Sequence, residues 1–303
     1  MSRTERFASW ASRPRLLTGA AAFRLVAGAT MLYQYLSNYA QRAVLFGPDA
    51  LMPLDMMTER GLWSLYTLST RPWYFELIFH LGLLVGALWT AGFGGPLLTC
   101  LQYLFWMSIR NRFPELWDGG DNTIELLLLY GLAANFRGRF AVRPQAVMTR
   151  SRSVLHNAAM LCFALQLSVI YVTAGLTKVH GNTWWNGTAL YYALSDSEFV
   201  FPGVSQALYA NGYLVALMTY ATVTFQIGFP FMLFLNRYSR LLVVGIGITF
   251  HLSIAIVLGL VSFGGFLIAA ELSMIDDDEY DWLSRKRAAL VRRLKRQHEL
   301  APT

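Results

Sequence analysis

Charge and cysteine are what this chain has least of. Of its 303 residues, 55% are hydrophobic, 14% are charged and two are cysteine, whereas a soluble domain carries about 25% charged residues. So little charge excludes a water-exposed surface over most of the chain and argues for a membrane protein. Cys100 and Cys162 both fall in apolar stretches and lack CxxC spacing. They read as small core residues rather than as a disulfide or a metal pair. No Walker loop, dinucleotide-binding glycine fingerprint or GxSxG elbow is present, which leaves the common nucleotide and serine-hydrolase chemistries without support. Lysine is nearly missing as well: Lys178 is the only one before Lys286, in a span that holds arginine at eighteen positions.

Long apolar runs are what the chain does have. A hydrocarbon core of about 30 Å takes about 20 helical residues, and eight runs approach that length. They are Leu16 to Asn38, Trp73 to Ala91, Pro96 to Ile109, Asn122 to Phe136, Val154 to Thr177, Tyr209 to Leu235, Leu241 to Leu260 and Ser262 to Ile275. The expected fold class is all-α: a polytopic membrane helix bundle of about eight transmembrane helices, with the third, fourth and eighth short enough to be tilted or re-entrant. The domain reading is one membrane domain over residues 1–275 and a short charged tail over 276–303. The tail, "DDDEYDW" then "LSRKRAALVRRLKRQHEL", reads either as a basic amphipathic helix lying on anionic headgroups or as a solvated tail that fixes topology.

The net charge of +7 is explained by placement rather than by nucleic acid. With both termini cytoplasmic, eighteen basic residues fall on the inside and six on the outside, and Arg24 lies within the first helix. That split follows the positive-inside rule, so the expected location is a cell membrane crossed several times. Two outer loops are long, Tyr39 to Pro72 and Lys178 to about Leu208; the second carries Asn182, Trp184, Trp185, Asn186, Tyr191, Tyr192 and Phe199. Those aromatics read equally as an interfacial belt. Inner loops such as "AGFGG" are plain, so chemistry is expected on the outside.

An ionisable group in a bilayer is costly and is a site candidate by default. The candidates are Arg24, Glu76, His80, Asp121, Glu125, Lys178, His251 and Glu271. Glu76 and His80 are four residues apart on one helix face, and Asp121 and Glu125 repeat that spacing. These groups can equally pair with one another to hold helices together, and Asp121 or Asp118 can cap the fourth helix. The histidines and carboxylates show no HExxH or comparable spacing, and no metal is expected. Lys178 stands apart, because arginine would serve as well for snorkelling or pairing. Arginine does not deprotonate in proteins, whereas a lysine in a low-dielectric pocket gives up its proton more readily and can act as a base.

At these residues the chain resembles a known family. "YVTAGLTKVHGNTWWNGTALYYAL" is similar to the signature of the HTTM family, the horizontally transferred transmembrane domain that links vitamin K-dependent gamma-glutamyl carboxylases with bacterial proteins such as sporulation-delaying protein B. "FRLVAGATMLYQYL", "LFGPDALMP", "RNRFPELWDGGDN" and "FHLSIAIVLGLVSFGGFLIA" extend the likeness over roughly Pro14 to Ile275. In the carboxylases the lysine of this motif deprotonates vitamin K hydroquinone. The resemblance therefore implies a catalytic role for Lys178, with His251 as a hydrogen-bonding neighbour and a vitamin K-like quinone as cofactor. Asp121 and Glu125 join the catalytic set as proton-handling groups. Glu76, His80, Asn122, Trp184, Trp185 and Tyr191 are the expected substrate-binding residues.

The departures are concrete. Thr177 replaces the first lysine of the carboxylases' pair, and Asp121 and Asn122 stand where they carry a histidine. The chain ends 28 residues after Ile275, so the large soluble domain of the carboxylases is not expected, and glutamate carboxylation does not carry over directly. The bacterial branch implies the maturation of an exported peptide toxin. Two functions follow from the residues and the resemblance: a lysine-based enzyme acting on a peptide or lipid quinone at the outer face, or a non-catalytic membrane partner for an exported peptide. A transporter would show an inverted repeat, and none is evident.

Overall fold

A computed structural model describes residues 2, 5, 6, 9, 11–145, 147–195, 200, 201 and 203–299. Phe199 lies outside the described residues, as do the side chains beyond residue 292. Among the described residues there are fourteen α-helices and no strand. Each of the eight apolar runs is a helix: α1 (Leu17–Ser37), α4 (Pro72–Ala91), α5 (Pro96–Arg112), α6 (Gly119–Gly131), α7 (Arg150–Val179), α11 (Gly212–Leu235), α12 (Arg237–Val257) and α13 (Val261–Leu272). Between them lie the short α2 (Arg42–Phe46), α3 (Leu54–Glu59), α8 (Asn182–Trp185), α9 (Ala189–Ser195) and α10 (Val204–Tyr209), and the chain closes with α14 (Asp277–Glu299). By length and composition α4, α7, α11 and α12 can each cross a membrane, while α13 is apolar but only 12 residues long.

Helix boundaries follow capping chemistry. Asp118 caps α6 through the N–H groups of Gly120 and Asp121, and the Asp121 carboxylate accepts in return from the Asp118 N–H at 2.9 Å. Asn236 and Ser239 form the same reciprocal pair at the start of α12. Thr149 and Asn211 cap α7 and α11. Each oxygen satisfies a backbone donor that the helix itself leaves open.

Short α13 is the hub of the bundle, packed against α1, α6, α7 and α12. It can be central because it is apolar around its circumference and carries small residues, Gly264, Gly265, Ala269 and Ala270, that let neighbours approach. Around it, α4 lies on α1, α5 on α4, α6 on α5 and α7 on α6; α11 then packs on α7 and α12 on α11. The core is strongly aromatic: Phe23, Trp89, Phe136 and Phe163 meet edge-on or stacked, with centroids 4.9 to 6.4 Å apart.

The first helix begins awkwardly. Leu16, at its N-cap, has φ 56° and offers no side-chain cap. The missing acceptor comes from the far end of the chain, where the Asp277 carboxylate takes the Leu17 and Thr18 N–H groups at 3.1 and 2.7 Å and the Thr18 hydroxyl at 2.5 Å. Arg139 pairs with Asp281 at 2.8 Å, and Arg240 with the buried Glu279 at 2.6 Å. The acidic opening of α14 is thus clamped to the bundle, ahead of its basic stretch.

Candidate functional site

One end of the bundle gathers the C-termini of α1, α5 and α7 and the N-termini of α4 and α6. The sequence candidates near this end separate into self-contained groups. Glu76 accepts from Arg42 Nε at 3.1 Å and lies 3.4 Å from His80 Nδ1, while His80 Nε2 meets the Tyr39 hydroxyl at 3.0 Å. Both side chains are well exposed, at 40% and 45%. Asp121, fully buried, is held by its capping role and by Gln34 Nε2 at 3.0 Å. Glu125 and Asn122 are both gripped by the Arg110 guanidinium. A second arginine of that motif, the buried Arg112, donates to the carbonyls of Phe46, Gly47 and Met52 and so pins "LFGPDALMP" against α5. These contacts tie Glu76, His80, Asp121, Asn122 and Glu125 into the fold, mostly through partners outside the candidate set.

His251 is buried mid-bundle on α12, where Nδ1 lies 3.0 Å from Glu271 Oε1 of α13 and 3.1 Å from the Gly247 carbonyl. A carbonyl only accepts, so Nδ1 carries the hydrogen. The Tyr171 hydroxyl of α7 donates to the same carboxylate oxygen, while Glu271 Oε2 is buried without a partner. Three helices therefore converge on one carboxylate. Gly247 is a condition of this arrangement, since a Cβ there would stand 2.2 Å from Glu271 Oε1. Tyr171 is held in turn by stacking on Phe229 at 4.1 Å. Sequence reasoning brought Glu271 as far as a buried candidate and missed Tyr171. The available signal was one acid in an otherwise apolar α13.

Lys178 lies two turns beyond Tyr171 on α7, about 10 Å further along the axis. It continues the buried stripe of Leu167, Tyr171 and Gly175, whose opposite wall on α11 includes the buried Thr222 and Gln226. The half-buried amine finds the Ala174 carbonyl at 3.4 Å and the Trp184 ring at 5.1 Å. Among the described residues no carboxylate pairs with it. Trp184 is placed by α8, which turns back on the Lys178 carbonyl through the Gly181 N–H at 2.9 Å and is tied to α11 by the Tyr220 hydroxyl on the Trp185 carbonyl, also at 2.9 Å. Trp185 is 72% exposed, and Tyr191 and Tyr192 of α9 are exposed as well. Glu76, His80, Asp121, Asn122, Glu125 and His251 make no contact with Lys178 among the hydrogen bonds and ion pairs described.

An apolar cavity of about 360 Å³ lies at the same end, between α9, α10, α11 and α12, with Leu190, Leu194, Leu208, Phe225 and Phe250 among its walls. Phe225 and Phe250 also touch Tyr171 and His251, at 5.1 Å each. The cavity suits the apolar part of a quinone. Lys178 is not among its walls, so the fit does not extend to a reacting oxygen.

Residues 140–278, from just before α7 into the first turn of α14, match the model of the HTTM domain. Over that region the chain is similar to the HTTM domain. Lys178, Trp184, His251 and Glu271 lie inside it; Glu76, His80, Asp121 and Glu125 lie before it. The chain is 24% identical over 204 residues to sporulation-delaying protein SdpB of Bacillus subtilis (strain 168), which covers 65% of this chain and 62% of that protein. It is 30% identical over 153 residues to the uncharacterized protein YitO of the same organism, which covers 48% of this chain and 50% of that protein. The chain thus spans between half and two thirds of the length of these curated relatives. No solved structure matches it. With four helices able to cross a membrane among the described residues, it is a multi-pass membrane protein with a region similar to the HTTM domain.

Proposed function

We propose that this protein engages an exported peptide at the Lys178 end of the bundle, as a membrane partner in its maturation. The observation that carries the reading is the Lys178 amine, free of any carboxylate among the described residues and seated against Trp184, in a loop whose Trp185, Tyr191 and Tyr192 are exposed. An unneutralised cation in an aromatic surface offers a carboxylate of a peptide one charge-assisted contact and offers its apolar side chains a platform. The other ionisable candidates have their partners within the fold. The likeness to sporulation-delaying protein SdpB supports a peptide as the partner. The eighteen-to-six distribution of basic residues supports an orientation with both termini cytoplasmic and Lys178 outside.

A second reading rests on the same amine. A lysine without a salt bridge is also free to take a proton, and the carboxylase likeness makes Lys178 the base that would accept one from an acidic O–H or C–H of a membrane-borne substrate. A quinone, when bound, supplies redox chemistry. On this reading Lys178 holds the proton, Trp184 positions the amine, and the apolar cavity takes the substrate's hydrocarbon part.

One experiment separates the two. A photo-crosslinking residue at Trp185 or Tyr192, in protein purified from cells that secrete the candidate peptide, is expected to capture that peptide. Lys178→Ala is expected to reduce capture about ten-fold, the loss of one charge-assisted hydrogen bond. With Lys178→Arg, retained capture together with retained peptide maturation supports docking. Retained capture with maturation abolished assigns the base. Equal capture by the parent and Lys178→Ala refutes a role for the amine in binding.

A further inference from the structure

At the opposite end of the bundle, roughly 40 Å from Lys178 by the rise of α7, lies a cavity of about 510 Å³. Arg24, Arg137 and Arg152 line it, together with Gly95 at the start of α5 and Thr149 at the start of α7. None of the three arginines has a carboxylate partner among the described residues. Arg24, fully buried on α1, donates to the carbonyls of Trp89, Thr90 and Phe140, and its Nε has no acceptor. Arg137 donates to the Arg143 carbonyl at 2.8 and 3.0 Å and to the Gln145 side chain, and Arg152 to the Ala134 carbonyl at 3.1 Å.

Two helix N-termini add to this positive field. The first turn of α5 has no side-chain cap at Gly95, and Arg137 Nη1 stands 3.9 Å from where a Cβ on Gly95 would be. A guanidinium set against the positive end of a 17-residue helix, with two more guanidiniums around one cavity, is unfavourable unless an anion joins them. The turn is built to admit Arg24: Gly92 has φ 81°, and a Cβ there would lie 2.4 Å from Arg24 Nη1. The plain-looking "AGFGG" therefore shapes one wall of a charged cavity.

We infer that this cavity binds an anion of the phosphate class, either free phosphate or the phosphomonoester headgroup of a lipid. Arg137 and Arg152 grip its oxygens, the α5 N-terminus faces it, and Arg24 supplies the buried charge beneath. The inference is independent of what binds at Lys178.

The test uses the purified full chain in detergent, with thermal unfolding followed as each probe is titrated. The probes are inorganic phosphate, phosphatidic acid in mixed micelles, and phosphatidylcholine as the zwitterionic control. Saturable stabilisation is expected from phosphate if the ligand is the free ion, and from phosphatidic acid alone if it is the headgroup. The double substitution Arg137→Gln with Arg152→Gln is expected to weaken binding about ten-fold or more, since it removes two charged donors. Arg24 is left unaltered because it also ties three backbone carbonyls. Arg150→Gln, exposed and outside the cavity, is expected to leave binding unchanged. The inference is overturned if neither phosphate nor phosphatidic acid stabilises the parent, or if Arg150→Gln weakens binding as much as the double variant does.

Discussion

The carboxylate of Glu271 is the acceptor on which α7, α12 and α13 meet, and a double-mutant cycle measures what that meeting contributes. Tyr171→Phe removes one hydroxyl donor from a buried carboxylate, a hydrogen bond to a charged group worth about 1.5–3 kcal/mol in soluble proteins and about 1–2 kcal/mol in a bilayer. Glu271→Leu strands the Tyr171 hydroxyl and leaves His251 Nδ1 with the Gly247 carbonyl alone, for which roughly 3–5 kcal/mol is expected from the loss of one partner of a buried pair. In the double variant the stranded hydroxyl is gone, so the cost falls short of the sum by about 1–2 kcal/mol. At about 2 °C per kcal/mol for a chain of this size, the single variants unfold roughly 2–4 °C and 6–10 °C below the parent. The double variant then lies no lower than Glu271→Leu. Thermal unfolding in one detergent at one pH reads all four proteins. Additivity within about 0.5 kcal/mol would show that the hydroxyl and the carboxylate do not interact, and the description of the pair would be wrong.

Other consequences are more local. Asp277→Ala uncaps α1 and is expected to lower stability by about 1–2 kcal/mol, read as faster amide exchange at Leu17 and Thr18; unchanged exchange there refutes the cap. Arg112→Met leaves three carbonyls of the α2 to α3 segment without their donor, and limited proteolysis is expected to cut first between residues 47 and 59. Arg139 beside Asp281 holds that carboxyl below its ordinary range. A depressed carboxylate contributes above its unfolded pKa and loses that contribution as pH falls through its folded value. The start of α14 is therefore expected to stay docked at neutral pH and to loosen in acid, below about pH 4. Arg139→Gln should remove the part of the acid step that Asp281 contributes, leaving the Asp277 and Glu279 contacts in place, and exchange of α14 amides against pH would show whether the step shrinks.

The helices were legible because bilayer crossing demands long apolar runs, and the cap at Asp118 announces itself beside one of them. Lys178 was legible by its rarity. What could not be read were partners distant in sequence: Arg110 with Glu125 is a near pair, but Tyr171 and Glu271 are 100 residues apart, and no local period links them. His251 was expected beside Lys178, and the fold gives its Nδ1 to Glu271 instead. Arg24 was visible only as an isolated charge, because its three acceptors are backbone carbonyls, which every residue possesses and no residue type signals. The cavity it lines was hidden for the same reason, behind a glycine-rich turn that reads as a simple connection.

The reach of Asp277 across the chain bears on how the protein is made. Helix α1 opens at Leu17, and the acceptor for its first N–H groups is 260 residues away. At about 5–20 residues per second, that interval is roughly 13 to 52 s, during which α1 waits, incomplete, for α14. Closure of α1 therefore follows synthesis of the helices between it and α14, and a chain truncated before residue 277 would carry the defect at α1, far from the cut.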